Sequence, residues 1–253
     1  MQPIQIKTGH HMSLYLKDLD ILRDKSRLSN LAEGKLLINT INAHSYNMAQ
    51  KDALFAEALA GGDVLIPDGA PVPWACRFLK HKNPPVERCA GWDLFVFEME
   101  RWNEKGGKVM FVGSSEKVLS LIRQRAAEIY PNLEIVTLSP PFKAEFTEED
   151  NREIIGYINT IKPDLLWIGM TAPKQEKWTY SNWEKMDISC HVACVGAVFD
   201  FFAGTTKRAP LWWQNHGMEW FYRLCSEPKR MFKRYVVGNP LFLYNVLMEK
   251  LKS

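Results

Sequence analysis

Asp68 is the residue in this chain best placed by type and context to do chemistry. It follows the short apolar run DVLI (63–66) and lies in the turn Pro67-Asp68-Gly69. A carboxylate on a turn at a strand end can be aimed into a cleft, where it can take the proton of an attacking hydroxyl. Thr40 and Asn42 close the run LLINTI (36–41), and His44 follows. Thr and Asn are neutral hydrogen-bonding groups suited to sugar hydroxyls. Arg88 and Gln175 offer a cation and an amide to a diphosphate or a sugar. Gly113-Ser114-Ser115 precedes a helical pattern and can present backbone N–H groups to phosphate. Gly196 and Asp200 follow the last strand-like run, and Asp200 would orient a cation or a donor hydroxyl. Taken singly, each has a plainer reading: Asp-Gly as a turn, the serines as a helix cap, His44 as a packing residue, and Pro173-Lys174-Gln175-Glu176 as a helix start.

The segment from Gly196 to Tyr235 combines Trp212, Trp213 and Trp220 with Lys207, Arg208, Arg223, Lys229, Arg230, Lys233 and Arg234. So many aromatic residues do not suit a solvated face, and so many cations do not suit a core. An anionic partner with an apolar part, such as a phospholipid-linked substrate at a membrane, satisfies both. Residues 201–253 hold nine Lys or Arg against three Asp or Glu, a net +6, whereas the whole chain is only +3. The basic character is therefore local. It argues for an anionic surface contact and against a protein that coats nucleic acid. Arg223, Arg230 and Arg234, with Arg208, are expected at a diphosphate or the membrane surface.

These groups need a scaffold, and the hydrophobic pattern specifies one. Apolar runs at 36–41, 63–66, 108–113, 133–138, 164–169 and 191–196 alternate with helical patterns at 44–60, 70–80, 93–105, 115–130, 147–161 and from 173. Continuous apolar strands separated by helices predict an α/β, Rossmann-like, mostly parallel sheet covered on both faces, with ligands at the carboxyl ends of its strands. After Gly204 the alternation stops, and short helices are expected near 217–225, from Pro228 and from Pro240. This divides the chain into a catalytic body over 1–204 and a basic helical appendage over 205–253. A chain of 253 residues has ample length for such a core. No apolar run is long enough to span a bilayer. The start, MQPIQIKTGHHMSLYL, has neither the apolar core nor the cleavage site of a secretory signal. Five Cys without a C-x-x-C pair suit a reducing cytosol, and Cys190 and Cys194 read as small apolar strand residues.

In order along the chain, Thr40-x-Asn42, Pro67-Asp68-Gly69, Arg88-x-x-Gly91-x-Asp93, Pro173-Lys174-Gln175-Glu176, Gly196-x-x-x-Asp200, Lys207-Arg208-Ala209-Pro210, Glu219-Trp220, Tyr222-Arg223, Glu227-Pro228-x-Arg230 and Arg234-Tyr235 carry a resemblance. Over roughly residues 36–235 the sequence is similar to the WecG/TagA/CpsF family, glycosyltransferase family 26 of bacteria. The resemblance implies an inverting transferase that moves a sugar from a UDP-sugar donor to a polyprenyl-diphosphate-linked sugar acceptor in cell-surface polysaccharide synthesis. Family members transfer N-acetylmannosamine, its uronic acid or glucose. The resemblance also carries the role of general base to Asp68. Two loops depart from the family pattern, Gly113-Ser114-Ser115 and Ser139-Pro140-Pro141-Phe142, and they leave the donor sugar open.

The chain is read as having no Asp-x-Asp motif for a divalent ion bridging the diphosphate, so metal-independent catalysis without a cofactor is expected, with cations stabilising the leaving diphosphate. The protein is expected to be cytoplasmic and peripheral on the inner face of the membrane; a homo-oligomer interface is the other use open to the appendage. Two rival classes remain on sequence alone. A nicotinamide- or nucleotide-binding enzyme on the same sheet is disfavoured by the missing G-x-G-x-x-G. A non-catalytic basic membrane module is disfavoured by Asp68 and Gln175.

Overall fold

The structure, a computed structural model, describes residues 14–252. His10, His11 and most of the initial stretch read above for a signal lie outside the described residues. The six apolar runs become six strands: β1 Leu36–Ile41, β2 Val64–Pro67, β3 Lys108–Gly113, β4 Glu134–Leu138, β5 Leu165–Gly169 and β6 His191–Cys194. They form one sheet in the order β2-β1-β6-β5-β3-β4, and every neighbouring pair is parallel. The expected Rossmann-like α/β body is what the chain builds.

Among the described residues, twelve α-helices surround the sheet. The first seven are α1 Ala43–Ala49, α2 Ala53–Ala60, α3 Pro71–Phe78, α4 Gly91–Lys105, α5 Glu116–Ile129, α6 Glu148–Ile161 and α7 Lys174–Ser181. The remaining five are α8 Val198–Ala203, α9 Leu211–Asn215, α10 Glu219–Ser226, α11 Pro228–Phe232 and α12 Gly238–Lys252. Leu94, Phe95 and Met99 of α4, Leu119 and Ile122 of α5, and Phe199 and Phe202 of α8 share one core with Phe111 and Trp167. Ile154 and Ile158 of α6 and Trp178 of α7 share another with Val112, Ile168 and Val192. The sheet is thus covered on both faces, which suits strands that are mostly apolar on both sides.

Sequence and structure differ in three places. The helix expected over 44–60 is two helices, because the Asp52 side chain accepts the Phe55 N–H at 3.0 Å and caps a new start. Helices α8 and α9 were not expected; they are too short to show a periodicity. The boundary at 204 also separates chain segments rather than cores. Residues 205–237 cluster in short helices and one π-helical turn, Lys233–Val237, but α12 returns to the body. Phe242 and Val246 lie in the same core as Tyr46, Phe55, Val72 and Ala75. Buried Glu249 accepts the Tyr46 hydroxyl at 2.5 Å and the Lys17 N–H at 3.0 Å. Cys190 and Cys194 are buried, as their apolar neighbours suggested.

Candidate active site

The sheet brings Thr40, Asn42 and Asp68 together by register. Thr40 pairs with Ile66 and Ile41 with Pro67, so the chain leaves β1 and β2 side by side. The Asp68 N–H donates to the Ile41 carbonyl at 2.8 Å, which fixes the turn. Gly69 follows at φ 87°, a left-handed conformation that glycine adopts without steric cost. Asn42 has two tasks. Its Oδ1 accepts the N–H groups of His44 and Ser45, both at 3.0 Å, capping α1. Its Nδ2 points at Asp68 Oδ2, 3.4 Å away. Asn42 therefore positions the carboxylate as well as offering a polar group to a ligand.

Arg88 and Arg234 act on this carboxylate, and further arginines pack on aromatic rings. The Cys89 N–H donates to the Pro67 carbonyl at 2.9 Å, which brings Arg88 alongside the end of β2. Arg208 lies over the Trp92 ring, 5.5 Å from its centroid, and Arg223 lies over Phe201 at the same distance. Arg234 sits on the π-helical turn, close enough to Asp68 and His44 to act on both electrostatically. The Nε atoms of Arg223 and Arg234 are buried without a protein partner. Burial pushes the Asp68 carboxyl above its ordinary range, and the Glu219 carboxylate adds to this, while Arg234, Asn42 and Arg88 pull it back. His44 goes the other way. Burial and the Arg234 charge lower it to about 4, so it is a neutral imidazole at physiological pH.

A second group lies at the ends of β3, β5 and β6. Gly113 has φ 124°, and a Cβ there would collide with the Gly169 carbonyl across the register pair Gly113–Gly169. Only glycine lets the two strands end this close together. Ser114 follows at φ 58°, and Ser115 caps α5 by accepting the Val118 N–H. Gly196, at φ 48°, leaves space that the Gln175 amide borders at 3.5 Å.

Not every expected ligand group faces the cleft. Gln175 is only 3% exposed: its Oε1 accepts the Met170 N–H at 3.2 Å and its Nε2 donates to Glu176 Oε1 at 2.9 Å. It shapes the Gly196 turn from beneath. Asp200 accepts the Thr205 hydroxyl at 3.1 Å and its carbonyl takes the Thr205 and Thr206 N–H groups, so it ties the turn after α8. Arg230 is exposed and pairs with Glu227 one turn back at 2.8 Å, away from the arginines near Asp68. The pattern Asp-x-Asp does occur once near the N-terminus, as Asp18-Leu19-Asp20. Both carboxylates are exposed there, and the Leu19 carbonyl contacts His81 rather than the strand ends. Among the described residues no three His, Cys, Asp or Glu side chains are grouped to hold a metal ion.

Two participants escaped sequence reasoning. Glu219 was part of a motif but had no assigned role, and it pairs with both Arg88 and Arg208. Glu176 was read as a helix start, yet it is 2% exposed and burial lifts its carboxyl to about 7. One of only three acids in a strongly basic segment, Glu219 offered that as its available signal. Glu176 left no signal, because its burial comes from distant strands.

The described residues include no helix long and apolar enough to cross a membrane. On the appendage, Leu211 is 72%, Trp212 57% and Phe232 56% exposed, beside Trp220 and Phe221. The profile of the Glycosyl transferase WecG/TagA/CpsF family matches residues 19–253. An N-acetylglucosaminyldiphosphoundecaprenol N-acetyl-beta-D-mannosaminyltransferase of Bacillus subtilis (strain 168) is 28% identical over 214 residues, 85% of this chain and 80% of the relative. A protein of the same name from Staphylococcus aureus (strain MW2) is 25% identical over 228 residues, 90% of this chain and 86% of the relative.

Proposed function

Because the chain belongs to the WecG/TagA/CpsF family of glycosyltransferases, we propose that it transfers a sugar from a UDP-sugar to a polyprenyl-diphosphate-linked acceptor with inversion. The names of its relatives suggest N-acetylmannosamine as the sugar moved and N-acetylglucosaminyl-diphosphoundecaprenol as the acceptor. The observation that carries the reading is a single carboxylate, Asp68, at a strand end among arginines. In the proposed reaction Asp68 takes the proton of the acceptor hydroxyl as its oxygen bonds to the donor C1. The bond from C1 to the diphosphate breaks on the opposite face, and UDP leaves with the electron pair. Arg88, Arg208, Arg223 and Arg234 supply charge-assisted hydrogen bonds to diphosphate, and two of them have a buried Nε ready for one. Catalysis of this kind needs no divalent ion, because the guanidinium groups neutralise the leaving group. Thr40 and Asn42 would face sugar hydroxyls.

The same reading places the protein on the inner membrane surface. Exposed Leu211, Trp212 and Phe232 next to Lys229, Arg230 and Lys233 suit an anionic bilayer. A panel of UDP-sugars with N-acetylglucosaminyl-diphospho-lipid acceptors tests the reaction. Turnover with one of them supports the reading; release of UDP to water alone, with no lipid product from any donor, overturns it.

A further inference from the structure

Glu219 holds the arginines that the proposed reaction assigns to diphosphate. Its Oε2 accepts from Arg88 Nη1 at 3.2 Å, and its Oε1 lies 3.7 Å from Arg208 Nε. One arginine comes from the loop before α4 and the other from the segment after α8, so a single carboxylate bridges the body and the appendage. Among the described residues neither arginine forms another ion pair within 4.0 Å, although Arg88 also acts on Asp68 electrostatically. The three side chains are about one-fifth exposed, which leaves them within reach of a ligand.

We infer that Glu219 is a resident anion: in the free enzyme it occupies the Arg88–Arg208 site, and a diphosphate displaces it. The inference rests on the reading that these arginines meet diphosphate. Three observations support displacement over a fixed structural tie. Each Glu219 oxygen reaches a different arginine, one of them only loosely, whereas a diphosphate offers more oxygens and more charge to the same N–H groups. Hydrogen-bonding capacity is also left over on the appendage, since Arg223 and Arg234 each keep a buried Nε without a hydrogen-bond partner. Finally, Glu219 opens α10 after the N-cap Met218, two residues beyond Gly217, which sits at φ 68°. A carboxylate expelled from the arginines stays in the first turn of a helix, where it remains electrostatically favoured. The appendage is thus held on the body by an internal ion pair before substrate arrives and by the substrate's own charge afterwards.

The test is direct binding of inorganic pyrophosphate and of UDP to the full chain, wild type against E219Q, with folding checked by melting temperature. Removing the internal competitor is expected to tighten pyrophosphate binding by about 5- to 30-fold, the scale of one close ion pair. E219D, whose carboxylate is withdrawn by one methylene, is expected to fall between the two and serves if E219Q does not fold. Equal or weaker pyrophosphate binding in the variants overturns the inference, since Glu219 would then organise the arginines rather than occupy their site. Absence of pyrophosphate and UDP binding to the folded wild type and variants alike overturns the diphosphate reading and the inference together.

Discussion

Asp68→Asn separates chemistry from architecture with little disturbance to either neighbour. Asparagine has the same shape, and the contact replaced is a long one, 3.4 Å from Asn42 Nδ2. The charge removed is one that burial and Glu219 oppose and that Arg234 and Arg88 favour. Burial is the largest of these and the net effect disfavours the charge, so the neutral amide is expected to cost no more than about 1 kcal/mol, roughly 2–4 °C for a chain of this size. Loss of a general base costs about 10²–10⁴ in rate, or about 2.7–5.4 kcal/mol of barrier. The assay is UDP release coupled to lipid product at saturating donor and acceptor, with melting temperature measured alongside. In wild type, activity should fall as pH drops through the Asp68 value, which lies above that of an ordinary aspartate; in the variant the residual rate should lack that limb. Turnover within tenfold of wild type, or a drop of many degrees that accounts for the loss, would falsify the assignment.

Glu176→Gln should stabilise the protein more at pH 8 than at pH 5. The folded carboxyl titrates near 7, above its ordinary value of 4.5, so the native state keeps a proton the unfolded chain has lost, and stability declines as pH rises across that window. At about 1.36 kcal/mol per pKa unit the decline is about 3 kcal/mol, and identical melting shifts at both pH values would contradict it. Transfer activity should survive EDTA; activity lost with chelator and restored by Mg²⁺ or Mn²⁺ would show that the arginines do not suffice. Trp212→Ala combined with Arg230→Ala should weaken binding to vesicles containing anionic lipid by about tenfold while sparing turnover of a water-soluble acceptor. Unchanged vesicle binding would assign the exposed face to an oligomer interface instead. Point variants are needed here because truncation after Gly204 would also strip Phe242 and Val246 from a core.

The sheet was legible because each strand is a short continuous apolar run, and Asp68, Thr40 and Asn42 were legible because they stand where such runs end. What the sequence could not show is long-range. The pairing of Glu219 with Arg88 joins residues 131 positions apart. The burial of Gln175 depends on α7 tucking its first turn under the end of β6, and no local pattern records that. Asp200 and Arg230 looked free in sequence because Thr205 and Glu227 carry no hint of pairing with them. The α1–α2 break was readable in principle from Asp52, yet an acid within an apolar helical stretch reads equally as a solvent-facing position.

The return of α12 has a consequence for how the protein is made. Tyr46 helps form the wall under α1, within a few residues of Asn42, but its hydroxyl is satisfied by Glu249, 203 residues later. Asn47 likewise gives its amide hydrogen to the Gly238 carbonyl at 2.7 Å. During synthesis the sheet can pair strand by strand, but these buried polar groups have no partners until residue 249 has been added. The flank beside the Asp68 turn is therefore completed only once α12 has been added. A ribosome stalled short of that point would hold a folded sheet with an open flank and no working transferase.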